Sequence, residues 1–157
     1  MVKAFYDAGC RYLQFDDTAW AYLCSDVEMK KAKERGMNTA TIIDDYTRVI
    51  NDSIKDKPAD MVITTHVCRG NFRSTWMAQG GYERVADILF NQMGVDAYFM
   101  EYDTERAGGF EPLRLLPKNK QVVLGVMTSK TGALESKDQL KRRIGRASCR
   151  ERVCLGV

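Results

Sequence analysis

Residues 61–70 read MVITTHVCRG, and the fold follows from this stretch. Five of its first six residues are apolar or β-branched, the composition of a strand buried in a parallel sheet. The six end on His66, the only histidine of the chain. A helical period follows at once, because Tyr82, Val85, Ala86, Leu89, Phe90 and Met93 share one face, and Gly94 stands where glycine commonly stops a helix. Working outward toward the carboxyl end, AYFME (97–101) is a third strand, followed by a polar, glycine-containing loop and the short helical stretch EPLRLLP (111–117). QVVLGV (121–126) is a fourth strand and SKDQLKRRI (136–144) its helix. Toward the amino end, RYLQFD (11–16) is the first strand, and Ile42, Ile43, Tyr46, Val49, Ile50 and Ile54 recur at helical spacing after it.

Strands that alternate with helices predict an α/β fold with a parallel sheet, either doubly wound or part of a (β/α)8 barrel. No glycine-rich phosphate loop favours the doubly wound alternative. A whole barrel takes about 250 residues, so four units in 157 residues predict a partial (β/α)8 TIM barrel that does not close.

The composition is that of an ordinary globular domain, 45% hydrophobic and 29% charged. There is no run of eighteen apolar residues, and MVKAFYDAGC at the start lacks the layout of a secretory signal, so a cytoplasmic protein with no membrane partner is expected. Of the formal charge of +3, residues 144–157 supply +2 through Arg146, Arg150 and Arg152 against Glu151, which leaves no basic surface that would suggest nucleic acid. Five cysteines without regular spacing fit a reducing compartment better than a disulfide framework. The segment IGRASCRERVC, from Ile144 to Cys154, continues no periodic pattern and resembles the translation of a short-read sequencing adaptor. Residues 1–143 are therefore expected to form the partial barrel and residues 144–157 a non-native tail, with a natural basic tail as the alternative.

Barrel chemistry gathers at the carboxyl ends of the strands. His66 and Cys68 stand two apart at such an end, so the two-residue period of a strand puts both on one face. Imidazole nitrogen and thiolate sulfur are both zinc donors, although a strand-end histidine can equally be a hydrogen-bonded structural residue. Glu101 ends the next strand on the face of Ala97 and Phe99, where it reads as an oxygen ligand or as the partner of Arg106 or Arg114 in a salt bridge. Asp16 shares the face of Tyr12 and Gln14. It can hold a ligand's ammonium group or cap the segment that begins at Thr18. Trp20, Trp76, Tyr98 and Phe99 read as core or pocket wall.

Taken together, YLQFDD (12–17), HVCRGN (66–71), YFMEYDTERAGGFEPLR (98–114) and VVLGVMTSKTGALES (122–136) resemble the catalytic barrel of cobalamin-independent methionine synthase, above all its short single-barrel relatives. The resemblance spans residues 1 to about 143. It implies zinc held by His66, Cys68 and Glu101, and homocysteine held through its amino group by Asp16. The reaction it implies is methyl transfer from 5-methyltetrahydrofolate, as its polyglutamate, to homocysteine to give methionine. The family's fourth ligand, a cysteine on a later strand, has no counterpart, since Cys149 and Cys154 lie on no recognisable strand. The family's acidic-proline continuation after the aspartate is here Asp17 and Thr18, and the acid that protonates the leaving nitrogen falls on no identified residue. On this reading the chain lacks parts at both ends and is inactive as written. The other readings are a zinc enzyme that passes a corrinoid methyl group to a thiol, from which the Thr104–Phe110 loop leans away by resemblance, and a non-catalytic truncated product.

Overall fold

The computed structural model describes residues 1–147 in full, together with the backbone of Ser148, Val153 and Cys154. Its centre is a parallel sheet in which the strands stand side by side in chain order: β1 (Tyr12–Asp16), β2 (Val62–Val67), β3 (Ala97–Glu101), β4 (Gln121–Gly125) and β5 (Val153–Cys154). Each strand lies beside the one before it, as in a singly wound barrel wall, and the sheet does not close on itself. The fold is that of a partial (β/α)8 barrel. The four long strands begin and end within one residue of the sequence expectation.

One face of the sheet is dry. Ile63, Tyr98, Met100, Val122 and Leu124 are buried there against Trp20, Leu89, Phe90 and Met93. Along β1, Tyr12, Gln14 and Asp16 are exposed on the other face while Leu13 and Phe15 are partly covered, the alternation that a two-residue period imposes.

Among the described residues α1 (Val2–Asp7) leads into β1, and α2 (Ala19–Cys24), α3 (Asp26–Glu34), α4 (Ile42–Ile54) and α5 (Lys137–Ser148) carry the chain between strands. The turn between α2 and α3 is Ser25, whose hydroxyl accepts from the Glu28 N–H at 3.4 Å. The stripe on α4 is as expected except at Val49, which is 54% exposed. Thr47 takes its place in the core and satisfies its hydroxyl on the Ile43 carbonyl at 2.8 Å. At the start of α5 a reciprocal cap forms, with Gln139 N–H on the Ser136 hydroxyl at 3.3 Å and Ser136 N–H on the Gln139 side chain at 2.8 Å.

Three features depart from the sequence reading. The segment expected as one helix from Tyr82 to Met93 is a 3-10 turn at Tyr82–Arg84 followed by a π-helical turn at Ile88–Gln92. The apolar face is kept, but the register widens at its end, where Met93 N–H reaches back five residues to the Ile88 carbonyl at 3.2 Å. Gly94 is not a left-handed cap. Its N–H is taken by the Asn51 side chain at 2.7 Å, and a Cβ there would press on Asn51 and Ile54. Finally, α5 crosses residue 144 without a break and buries Ala147, and Cys154 has its backbone in β5 beside Val123. The unpaired edge of β4 accounts for that pairing, because it recruits the next extended segment of chain. Cys149 lies outside the described residues. Among the described residues no helix is long and apolar enough to cross a membrane.

Candidate functional site

The register decides what meets at the strand ends. Asp16 pairs with His66 and His66 with Phe99, so Cys68, two residues on, comes level with Glu101. Glu101 in turn pairs with Gly125, which has no side chain to fill the space between them. A cavity of about 420 Å³ results, lined by His66, Cys68, Phe99, Glu101, Asp103 and Lys130 among others. Three of the four residues singled out in the sequence thus share one cavity. The fourth, Asp16, stands at its edge with its carboxylate 4.0 Å from His66 Nε2 and its side chain 79% exposed.

His66 and Cys68 act on each other. The hydrogen bond to Cys68 is the main reason that the imidazole pKa is raised, with burial working against it. The same bond, with help from the Gly70 N–H at 3.3 Å from Sγ and the Thr18 hydroxyl at 3.9 Å, holds the Cys68 thiol below its ordinary pKa despite burial. This is the signature of a thiol prepared to lose its proton, which both nucleophiles and metal ligands require. Cys24 is the contrast, since burial pushes its thiol up to about 11 and keeps it inert.

Glu101 is engaged differently. Its Oε2 accepts from the Arg69 backbone N–H at 2.8 Å and lies 3.5 Å from Lys130 Nζ, while Oε1 accepts from Arg106 at 3.0 Å. Arg106 also grips both oxygens of Asp103, at 2.8 and 3.1 Å, and lies over the Trp76 ring. Burial pushes the Asp103 carboxyl up, but the Thr128 hydrogen bond, the Arg106 charge, the contact with Glu101 and the Lys130 charge together hold its pKa below the ordinary value. Of the salt-bridge partners read for Glu101 in the sequence, Arg106 is present, whereas Arg114 is turned to Glu83. Among the described residues no three His, Cys, Asp or Glu side chains stand ready to hold a metal ion as they are.

Asp17 has a separate and structural role. It is buried, accepts from the Tyr46 hydroxyl at 2.6 Å and caps α2 through the Ala19 N–H at 3.3 Å. The capping expected as one option for Asp16 therefore belongs to its neighbour. Burial raises the Asp17 pKa, so folding favours its protonated form. That contribution is fully present below the unfolded-chain pKa and is lost as the pH rises through the folded-state value. At neutral pH the charge is a net cost. Asp17→Asn, which keeps an acceptor for Tyr46, is expected to stabilise the chain at pH 7 by about 1 kcal/mol or less. The gain should vanish on acidification through the aspartate range, as read by urea melts at several pH values; a loss of stability at pH 7 would show that the charge itself is needed.

Lys130, Asp103 and the pair formed by Asn71 and Ser129, whose side chains meet at 2.9 Å, were not read from the sequence. Lys130 and Ser129 lie in the loop after β4, so extending the strand-end rule to that loop would have found them. Trp76 is half exposed beside Arg106, whereas Trp20 is core.

No protein-family model matches the chain. It is 49% identical over 148 residues to the uncharacterized protein YxjG of Bacillus subtilis (strain 168), and 47% identical to the uncharacterized protein YxjH of the same strain. Each match covers 94% of this chain and 39% of the relative, so the chain spans about two fifths of the proteins it matches. In three dimensions it is similar to the crystal structure of the "Putative Vitamin-B12 Independent Methionine Synthase" from Listeria monocytogenes. The two share 44% identity with a TM-score of 0.73, covering 97% of this chain and 43% of that one.

Proposed function

We propose that the chain is part of a vitamin-B12 independent methionine synthase type of methyltransferase, in which zinc is held by His66, Cys68 and Glu101 and a methyl group passes from 5-methyltetrahydrofolate polyglutamate to the thiol of homocysteine. The observation that carries the reading is the imidazole–thiol pair facing a strand-end carboxylate across one cavity. The likeness to the Listeria structure supports the reaction class.

The donor set fits zinc in its chemistry: one nitrogen, one sulfur already drawn toward thiolate, and one carboxylate in the same cavity wall. Bound there, zinc would lower the pKa of the acceptor thiol, so that sulfur attacks as thiolate at neutral pH.

The chain's own residues supply binding and exclusion of water. The exposed Asp16 carboxylate, one strand away from His66, would pair with the homocysteine ammonium group and fix where the sulfur lies. Phe99, Val123 and Met127 make the cavity wall largely apolar, which strengthens every charge interaction within it.

The test uses full-length YxjG, whose match to this chain covers 94% of it, supplied with zinc, homocysteine and one methyl donor at a time. Methionine formed from methyltetrahydrofolate and not from methylcobalamin is expected. Methionine from methylcobalamin alone would replace the donor, and none from either would overturn the reaction. No turnover is expected from the 157-residue chain by itself.

A further inference from the structure

Glu101 is firmly held in the cavity, and among the described residues none of its hydrogen-bond or ion-pair partners is His66 or Cys68. Three donors converge on it: the Arg69 N–H at 2.8 Å, Arg106 at 3.0 Å and the Lys130 ammonium at 3.5 Å. The side chains of Glu101, Arg106 and Lys130 are 9%, 10% and 7% exposed, so these charges attract each other with little screening. A carboxylate in that setting does not leave one set of cations for another without cost.

The two cations are not placed alike. Arg106 has a second acid, since Asp103 takes it through both oxygens, and it would remain paired if Glu101 moved away. Among the described residues Lys130 forms an ion pair with Glu101 alone, although its charge also reaches Asp103. It is carried by a loop whose neighbouring residues, Ser129 and Thr131 to Leu134, are exposed. Asp103 thus frees Glu101 from Arg106 at small cost, and the loop lets Lys130 withdraw toward water.

We propose that Lys130 and Arg106 are positioning residues for Glu101, which hold its carboxylate off the His66–Cys68 pair until a metal competes for it, with Lys130 as the partner that yields. The proposal rests on the zinc reading above and adds the competition that sets how tightly the metal is held.

The experiment measures zinc affinity of the whole chain by competition with a chromophoric chelator, and records the absorption spectrum with Co²⁺ in place of zinc. The variants are Lys130→Met, Glu101→Gln and the double variant, each checked for native circular dichroism. Lys130→Met is expected to tighten zinc by about three- to fivefold, the upper part of the range for one lost charge pair. In the Glu101→Gln background the same substitution should change affinity by less than about twofold, because the group it acts through is gone. Glu101→Gln alone should change the Co²⁺ spectrum, while Lys130→Met should leave its band positions in place. If Lys130→Met tightens zinc equally in both backgrounds, only the general field of the ammonium is at work and the proposal is overturned. It is also overturned if zinc binds well and Lys130→Met has no effect. If the folded chain and every variant bind no zinc, the zinc reading itself falls and this inference with it, an outcome distinct from the other two.

Discussion

Serine in place of Cys68 is expected to lower bound zinc from about one ion per chain to a trace, and His66→Ala to do the same. The hydroxyl of serine is nearly isosteric with the thiol but stays protonated near neutral pH, so it offers no anion to the metal. The interaction that holds the Cys68 thiol low is the His66 hydrogen bond, so each substitution removes one donor and also raises the cost of using the other. Losing an outer partner of a ligand typically weakens a metal site by about 10–100-fold, and losing the ligand itself should exceed that. Metal analysis after dialysis against a weak chelator gives the answer. Cys24→Ser is the internal control, because the Cys24 thiol is buried away from the cavity and pushed up to about 11, and its loss should leave the zinc content unchanged. Stoichiometric zinc in both site variants would end the assignment of His66 and Cys68.

The second large effect is one of stability and comes from Gly108. Its φ is +81°, a conformation that favours glycine, and a Cβ there would stand 2.5 Å from the Gly81 Cα. Backbone meets backbone at this crossing, so no side chain can move aside to relieve it. Gly108→Ala should cost about 2–4 kcal/mol, the sum of a left-handed backbone and an overpacked contact. The substitution also acts on the site, because Gly108 follows the turn Glu105–Ala107 that places Arg106 against Glu101. A urea melt that moves to lower concentration with an unchanged slope is the expected result. An unchanged midpoint would mean that the Gly81–Gly108 approach is not a constraint in solution.

How much of this was legible in the sequence depended on whether a segment showed a period. The strands β2, β3 and β4 were plain because they are short apolar runs, and the strand-end rule then offered Asp16, His66, Cys68 and Glu101 as candidates, while their roles came from the family resemblance. The helices α2 and α3 were not read. In α2 the residues Trp20, Ala21, Leu23 and Cys24 are all buried, so its six residues show no apolar stripe against a polar face. The stretch from Tyr82 to Met93 had the right face but not the right helix, since hydrophobic spacing does not distinguish an α-helix from a segment that tightens and then widens. Asp16 could be placed on the face of Tyr12 and Gln14, while its neighbour Asp17 was left without a role. Which of them capped α2 depended on Tyr46, twenty-nine residues away from Asp17 and invisible to any local pattern. Lys130 differs, because its place after β4 could have been reached by the strand-end rule, and only its pairing with Glu101 on the preceding strand was hidden.

The hydroxyl of Tyr82 lies 3.0 Å from the Val67 carbonyl and 3.1 Å from the Glu101 carbonyl, at the tips of two neighbouring strands. A phenol has one proton to give and here faces two acceptors at almost equal range. Shared between the two carbonyls, the phenol ties the end of β2 to the end of β3 just beyond their last backbone pairing. The thiol side of the cavity and its carboxylate side are therefore joined from beneath by a buried ring as well as by the sheet.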